Sequence, residues 1–135
     1  MSLQLQILPD EFVVMRFRGP VEGLSSLLNS VSESLFSVTR TPEEISVVCN
    51  SGHSFDAESL TELLCEKEAN WRAIKVIGPL DFSMVGVLAG LATSLANAGV
   101  SLFCLSTFLT DYILVKDQDL TVAVQSLQES GYEIL

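Results

Sequence analysis

The sequence predicts an α+β fold made of two related units, each with the element order β-α-β-β-α-β or a permutation of it. Two observations carry this prediction: an internal repeat, and short strand-like runs that alternate with helical stripes. A chain of 135 residues can form one ordinary domain, or two small ones that share a core.

The internal repeat consists of two pairs of segments. Phe12–Glu22 aligns with Trp71–Asp81, and each segment is a strand-like run closed by Gly-Pro, an apolar residue and an acid. Phe36–Val48 aligns with Phe103–Val115, and each contains a strand, a polar turn with an acid and a second strand. The offset between the copies grows from 59 to 67 residues, so the second copy has about two more helical turns between its motifs. Two related units predict a binding scaffold with pseudo-symmetric interfaces.

In the first half, Leu3–Ile7 alternates with a period of two and predicts a strand that ends at Pro9 and Asp10. Phe12–Arg18 predicts the next strand. A helix follows, because apolar residues recur at helical spacing at Leu24, Leu27, Leu28, Val31 and Leu35. Two paired strands and a short helix come next, at Phe36–Arg40, at Ile45–Cys49 and around Leu60, Leu63 and Leu64.

The second half contains a complete alternation of elements. They are predicted as strand Arg72–Ile77, helix Ser83–Ala98, strands Ser101–Thr107 and Tyr112–Lys116, a helix from Asp117 to Gly131 and strand Tyr132–Leu135. This order is the ferredoxin-like split motif. The first half lacks a fourth strand, and the amino-terminal strand is predicted to fill that edge, which makes the first unit a permuted one. The predicted domains are therefore 1–68 and 69–135.

Composition and charge narrow the function. A formal charge of −10 argues against nucleic acid and anionic membranes as partners, and it favours cationic or zwitterionic small ligands. The same charge could simply keep a small protein soluble. Cys49, Cys65 and Cys104 are odd in number and widely spaced, which is typical of a reducing compartment. With no signal sequence recognised at the amino terminus, we expect a cytoplasmic protein.

An uncharged segment, Phe82–Thr110, is long enough to raise the possibility of a membrane helix. Small and polar residues recur along one helical face of it, and Gly99 lies where a water-soluble helix would end. The pattern favours a helix followed by a buried strand. Such a helix has more apolar and small surface than one sheet covers, so we expect a homodimer.

The sequence offers little support for catalysis. Cys49 and His53 could form a thiol nucleophile and its base with Asp56 as the orienting acid, but a buried cysteine beside a polar loop explains the same residues. Two such ligands are too few for a metal site, and the glycine-rich phosphate-binding motifs are absent from the sequence. We expect no enzymatic activity, no metal and no cofactor.

A strand-to-helix turn and a hairpin are the more suggestive features. The turn Gly78–Ser83 would present free N–H groups to a carboxylate, and the hairpin Ser106–Asp111 combines three hydroxyls, an aromatic ring and one acid. Together they suit a zwitterion, with its ammonium group on Asp111. Alternatively, Asp111 is an ordinary turn residue and Asp81 a helix cap.

Residues 78–88 and 105–120 resemble the ACT domain family. The specific part is Ser106-Thr-Phe-Leu-Thr-Asp-Tyr-Ile-Leu-Val115, and the similarity is to aspartate kinase regulatory regions, to CASTOR-type arginine sensors and to small bacterial proteins with two such domains. The resemblance is good over 70–135 and weaker over 11–49.

The resemblance implies a non-catalytic, regulatory domain that binds a free amino acid between paired copies and relays binding to a partner protein. Arginine, lysine or another amino acid is the implied ligand. The implied contacts are Asp81, Phe82, Ser101, Leu102, Thr107, Phe108, Thr110 and Asp111. Because the sensors carry four such domains and this chain two, a full site could require a dimer. The alternative function is a structural interaction module of the same fold without a small-molecule ligand.

Overall fold

The computed structural model describes residues 3–18, 34–51, 64–77 and 85–135. In these ranges the strands are β1 Gln4–Phe17, β2 Ser37–Arg40, β3 Ile45–Asn50, β4 Leu64–Val76, β5 Phe103–Ser106, β6 Asp111–Lys116 and β7 Glu133–Ile134. The helices are α1 Val87–Asn97 and α2 Leu120–Glu129, and a 3-10 turn, Asp117–Asp119, leads into α2.

The chain divides into two compact units. One contains Asp10–Trp71, and the other contains Met1–Pro9 together with Arg72–Leu135. We refer to them as the 10–71 unit and the 72–135 unit. The predicted division was 1–68 and 69–135, so the main difference is that the amino-terminal strand belongs with the carboxy-terminal half.

The 72–135 unit is an α+β layer with strand order β7-β1-β4-β6-β5. β5 and β6 are antiparallel, whereas β7 runs parallel to β1. Apolar residues alternate along β4 and β6 and pack against one face of each helix, as the periodicity predicts. The resulting core contains Leu5, Ile74, Val76, Leu91, Leu95, Val100, Ile113, Val115, Ala123 and Leu127.

The amino-terminal strand lies in a different place from the predicted one. Gln4 and Leu5 pair with Glu133 and Ile134 of β7, and the Ile77 N–H donates to the Gln4 carbonyl at 2.9 Å. Leu5 is fully buried in the core of the 72–135 unit. The strand therefore does not complete the first unit, because its buried leucine and its hydrogen bonds belong to the second.

The 10–71 unit contains strands in the order β2-β3-β1-β4. β3 is antiparallel to both neighbours, with Phe12–Phe17 of β1 paired to Ile45–Asn50. Its core contains Val13, Met15, Phe17, Ile45, Val47 and Cys49. The helices predicted around Leu24–Val31 and Leu60 lie outside the described residues, so the ferredoxin-like fold of the first unit stays a prediction.

Two strand boundaries differ from the predictions. Pro9 does not stop β1, because it falls between the ladder to β7, which ends at Leu5, and the ladder to β3, which begins at Phe12. β4 begins at Leu64, in a stretch predicted as the end of a helix, and it provides the strand that the first half lacked. Periodicity does not indicate this strand, because the four residues from Cys65 to Glu68 are all exposed and show no alternation.

The second half follows the predicted order from β4 through α1, β5, β6 and α2 to β7. The uncharged segment is a helix of 11 residues followed by a strand. Among the described residues, no helix is long and apolar enough to cross a membrane.

Close packing between α1 and the residues after α2 depends on one glycine. A Cβ atom on Gly90 would lie 2.8 Å from the hydroxyl oxygen of Tyr132, which is closer than real Cβ contacts. Tyr132 itself packs against the core of the 72–135 unit, so its ring has little freedom to withdraw.

This contact predicts a coupling between the two positions. Alanine normally stabilises a helix by about 1 kcal/mol relative to glycine, whereas overpacking costs about 1–3 kcal/mol. We expect Gly90→Ala to lower the free energy of unfolding of the natural protein. The same substitution should raise the free energy of unfolding of the Tyr132→Phe variant. Urea unfolding of all four variants measures this; equal effects of Gly90→Ala in both backgrounds would contradict the contact.

Candidate functional site

The hairpin between β5 and β6 carries most of the described residues implied in ligand binding. Ser106 pairs with Asp111 in the antiparallel register, which leaves four residues, 107–110, in the turn. The Thr107 N–H donates to the Thr110 carbonyl at 2.8 Å, and the Thr107 hydroxyl donates to the same carbonyl at 3.1 Å. The Thr110 N–H donates to the Thr107 hydroxyl at 3.3 Å. The turn is therefore closed by its own polar groups.

Thr110 fastens this turn to the end of β4. Its side chain is 4% exposed, and its hydroxyl donates to the Val76 carbonyl. The Thr110 hydroxyl proton is used by this bond, so its observed role is to position the hairpin. Because Val76 ends β4, the hairpin lies beside the start of the segment that leads to α1.

Asp111 is the acid of the hairpin. The Ser106 hydroxyl donates to its Oδ1 atom at 2.7 Å, which orients the carboxylate and leaves Oδ2 available for another donor. Sequence analysis did not identify Ser106 as the partner of Asp111, although the four-residue turn makes the two directly opposite. Burial, and to a smaller extent the charge of Asp111, raise the pKa of the nearby Cys104 thiol.

Two apolar side chains project from the turn. Phe108 is 80% exposed and Leu109 is 62% exposed. An exposed aromatic–aliphatic pair beside a carboxylate is typical of a surface that a ligand or another protein covers.

The remaining predicted residues lie elsewhere. Ser101 is exposed and Leu102 packs against the core, and both precede β5, at the opposite end from the hairpin. The four residues of β5 span roughly 10 Å, so Ser101 and Thr107 are separated by at least that length of strand. Asp81 and Phe82 lie outside the described residues. The structure thus groups Thr107, Phe108, Thr110 and Asp111, but not Ser101 and Leu102 with them.

The sequence profile of the ACT domain matches residues 66–129. The human protein CASTOR3P is 31% identical over 119 residues, which cover 83% of this chain and 72% of that protein. The cytosolic arginine sensor for mTORC1 subunit 1 of Bos taurus is 32% identical over 97 residues, covering 68% of this chain and 29% of the sensor. The match therefore spans under a third of the arginine sensor. The chain belongs to the ACT domain family.

Solved structures agree with this assignment at the level of the fold. A protein from Agrobacterium tumefaciens has a TM-score of 0.80 with 23% identity, covering 100% of this chain and 93% of that one. The aspartate kinase of Clostridium acetobutylicum has a TM-score of 0.67 with 15% identity, covering 90% of this chain and 32% of the enzyme. The predicted resemblance to the ACT domain family is confirmed.

Among the described residues of this ACT protein, the cysteine thiols are not part of a reactive centre. Cys49 is buried in the core of the 10–71 unit, and burial raises the pKa of its thiol to about 11, although the charge of Lys67 lowers it slightly. His53 and Asp56 lie outside the described residues. Within the ranges that are described, no group of three or more possible ligand side chains could hold a metal ion.

Cysteine reactivity should follow this burial. At pH 8 a thiol with a pKa of about 11 is only about 0.1% thiolate, so Cys49 should resist alkylation while the exposed Cys65 reacts. The folded state keeps the Cys49 proton to higher pH than the unfolded chain, so stability should fall as the pH rises from about 9 to about 11. Mass spectrometry of iodoacetamide-treated native protein measures the labelling. Rapid labelling of Cys49 at pH 8 would contradict its burial, and Cys49→Ala is the control that should lose the alkaline slope.

Proposed function

We propose that this ACT protein is a non-catalytic regulatory sensor that binds a free amino acid between paired copies of the domain. The observation that carries the proposal is the Asp111 carboxylate, which Ser106 orients at the start of β6, next to the residue that binds the end of β4 at Val76. The relative named as a cytosolic arginine sensor supports an amino acid as ligand and a cytoplasmic location.

The chemistry of the hairpin suits the ammonium group of an amino acid. Asp111 Oδ2 can accept a charge-assisted hydrogen bond, which is roughly twice as strong as a neutral one. The predicted contacts Asp81 and Phe82 precede α1 in the sequence, and we expect backbone N–H groups near them to bind the ligand carboxylate. Phe108 and Leu109 would cover the ligand and exclude water.

A second copy would supply the contacts that one chain leaves apart. The ammonium and carboxylate groups of an amino acid lie within about one residue length, roughly 3.5 Å. Ser101 and the hairpin are separated by the length of β5, so within a single copy they cannot bind both the ammonium and the carboxylate group of one amino acid. A site that uses both would combine the hairpin of one copy with Ser101 and Leu102 of the other, as a symmetric dimer does twice.

The surface of α1 favours such a dimer. The helix has no charged residue, and its exposed positions include Ala89, Gly90, Thr93 and Ala96. Small side chains permit close approach of another helix without desolvating a charge. Val85, which precedes the helix, is 93% exposed and adds apolar area at its beginning.

The proposal extends to the identity of the ligand and to the partner protein that responds to its binding. Arginine is the first candidate because of the name of the relative, and lysine and the other amino acids complete the screen. We expect ligand binding to be relayed to a separate partner protein. The non-catalytic role rests on the family and on the buried Cys49.

Asp111→Asn tests the hairpin directly. With whichever of the twenty amino acids stabilises the protein in a thermal-shift screen, calorimetric titration should show a loss of about 2–4 kcal/mol, or roughly 30- to 1000-fold in affinity, because a charge-assisted bond is removed. Stability without ligand should change by about 1 kcal/mol at most. Asp119→Asn, which removes the same charge beyond the other end of β6, is the matched control and should bind normally. Equal affinities of the natural protein and Asp111→Asn would leave Asp111 as a turn residue only.

A complementation experiment tests the shared site. Asp111→Asn and Ser101→Trp should each weaken binding strongly, the second because a bulky side chain blocks the contact. In a refolded equimolar mixture about half of the dimers are mixed, and each has one intact site, so about a quarter of all sites should recover. Absence of recovery in a sample that light scattering shows to be dimeric would place each site within one copy. A monomer at tens of micromolar would contradict the dimer itself.

A further inference from the structure

A second feature of the 72–135 unit is a groove of about 330 Å³ between α1 and α2. Its polar lining comes from the last turn of α1, at Ser94 and Asn97, and from α2 and the residue after it, at Gln125, Ser126, Glu129 and Ser130. The groove contains none of the hairpin residues, so it is separate from the proposed amino acid site. Its volume lies at the small end of the range for ligand pockets.

Three serines connect the two helices at the floor of the groove. The Ser94 hydroxyl lies within hydrogen-bond distance of the Ser126 carbonyl, at 3.1 Å, and the Ser126 hydroxyl donates to the Ser94 carbonyl at 2.9 Å. The Ser94 hydroxyl also lies 2.9 Å from the Ser126 hydroxyl and 2.8 Å from the Ser130 hydroxyl, and either oxygen of each pair can be the donor. Each serine oxygen has two lone pairs, so the Ser126 and Ser130 hydroxyls can accept hydrogen bonds from a ligand in the groove.

The charges and partial charges around the groove are negative. Gln125 donates to Oε1 of Glu129 at 3.2 Å, and among the described residues no donor bonds to Oε2. Neither helix has a basic residue in its last turn, so the partial negative charge of each carboxyl end is not offset there. Of the residues that the structure describes, no lysine or arginine lines the groove. The groove therefore offers hydrogen-bond acceptors and a negative potential.

We propose that this groove binds a small organic cation that carries several N–H donors, such as a primary ammonium or a guanidinium group. The carboxylate of Glu129 supplies the counter-charge, and the hydroxyl oxygens of Ser126 and Ser130 accept hydrogen bonds. An anion is disfavoured because it finds no cation. A quaternary ammonium ion is disfavoured because it has no proton to donate to the acceptors.

A titration of the full chain with n-butylammonium, followed by amide nitrogen–proton NMR, tests this proposal. The backbone amides of Ser94, Ser126 and Ser130 should shift in a saturable manner. Glu129→Gln, which keeps the shape and removes the charge, should weaken binding about 10-fold or more. Glu133→Gln removes the same charge from an exposed position in β7 outside the groove, and it should bind as the natural protein does.

Tetramethylammonium separates hydrogen bonding from simple charge attraction. It should produce no saturable shift at concentrations where n-butylammonium saturates the groove. Equal shifts with both cations, an unchanged affinity in Glu129→Gln, or no saturable shift at 50 mM n-butylammonium would each overturn the proposal. Asp111→Asn should leave this titration unaltered, so its outcome is independent of the amino acid site in the hairpin.

Discussion

The pairing of the amino-terminal strand with β7 is the contact on which the 72–135 unit depends. It joins residues about 130 positions apart in the chain, with Gln4 opposite Glu133 and Leu5 opposite Ile134. The Glu133 and Leu135 N–H groups donate to the Leu3 and Leu5 carbonyls, and these bonds satisfy backbone groups that would otherwise end at an open sheet edge. Leu5 at the same time fills the core between the sheet and the helices. The closure entropy of so long a loop grows slowly with its length, so a buried leucine and several hydrogen bonds suffice to offset it.

β4 lies between β1 and β6, so it is an interior strand whose end can carry a functional element. The Thr110 hydroxyl reaches the last carbonyl of β4, and the hairpin is held there rather than left free at the surface. Asp111 then follows directly in β6, with its carboxylate oriented by Ser106. A recognition group on a fastened hairpin loses less conformational entropy on binding than one on a mobile loop, which favours affinity for a ligand as small as an amino acid.

The hairpin and the groove between α1 and α2 would recognise different classes of ligand. The hairpin combines one carboxylate with exposed apolar groups, so it suits the ammonium group of a zwitterion that a second copy covers. Among the described residues, the groove is lined by hydroxyl acceptors and Glu129 but by no aromatic group, so it suits a donor-rich cation. The strongly acidic chain attracts cations to both places, and only the local hydrogen-bond inventory distinguishes them. A regulatory domain with two such sites could respond to one ligand through the other if binding at both favours the same packing of α1.

Periodicity and local turn chemistry were sufficient for the elements of the second half. The stripe of Leu91 and Leu95, the stop at Gly99 and the alternation of Ile113 and Val115 each depend on neighbours within a few residues, so the sequence alone indicated α1, β5, β6 and α2 in order. The hairpin and its acid could be named for the same reason. Non-local contacts decided the rest. Three features depend on partners that are distant in the chain, which no local pattern encodes: where Leu5 is buried, whether Pro9 ends a strand and whether the run from Cys65 to Glu68 extends β4. The Thr110 bond to Val76 and the serine cluster between the helices likewise exist only once two distant segments are packed together, because a hydroxyl has no partner until the fold supplies one.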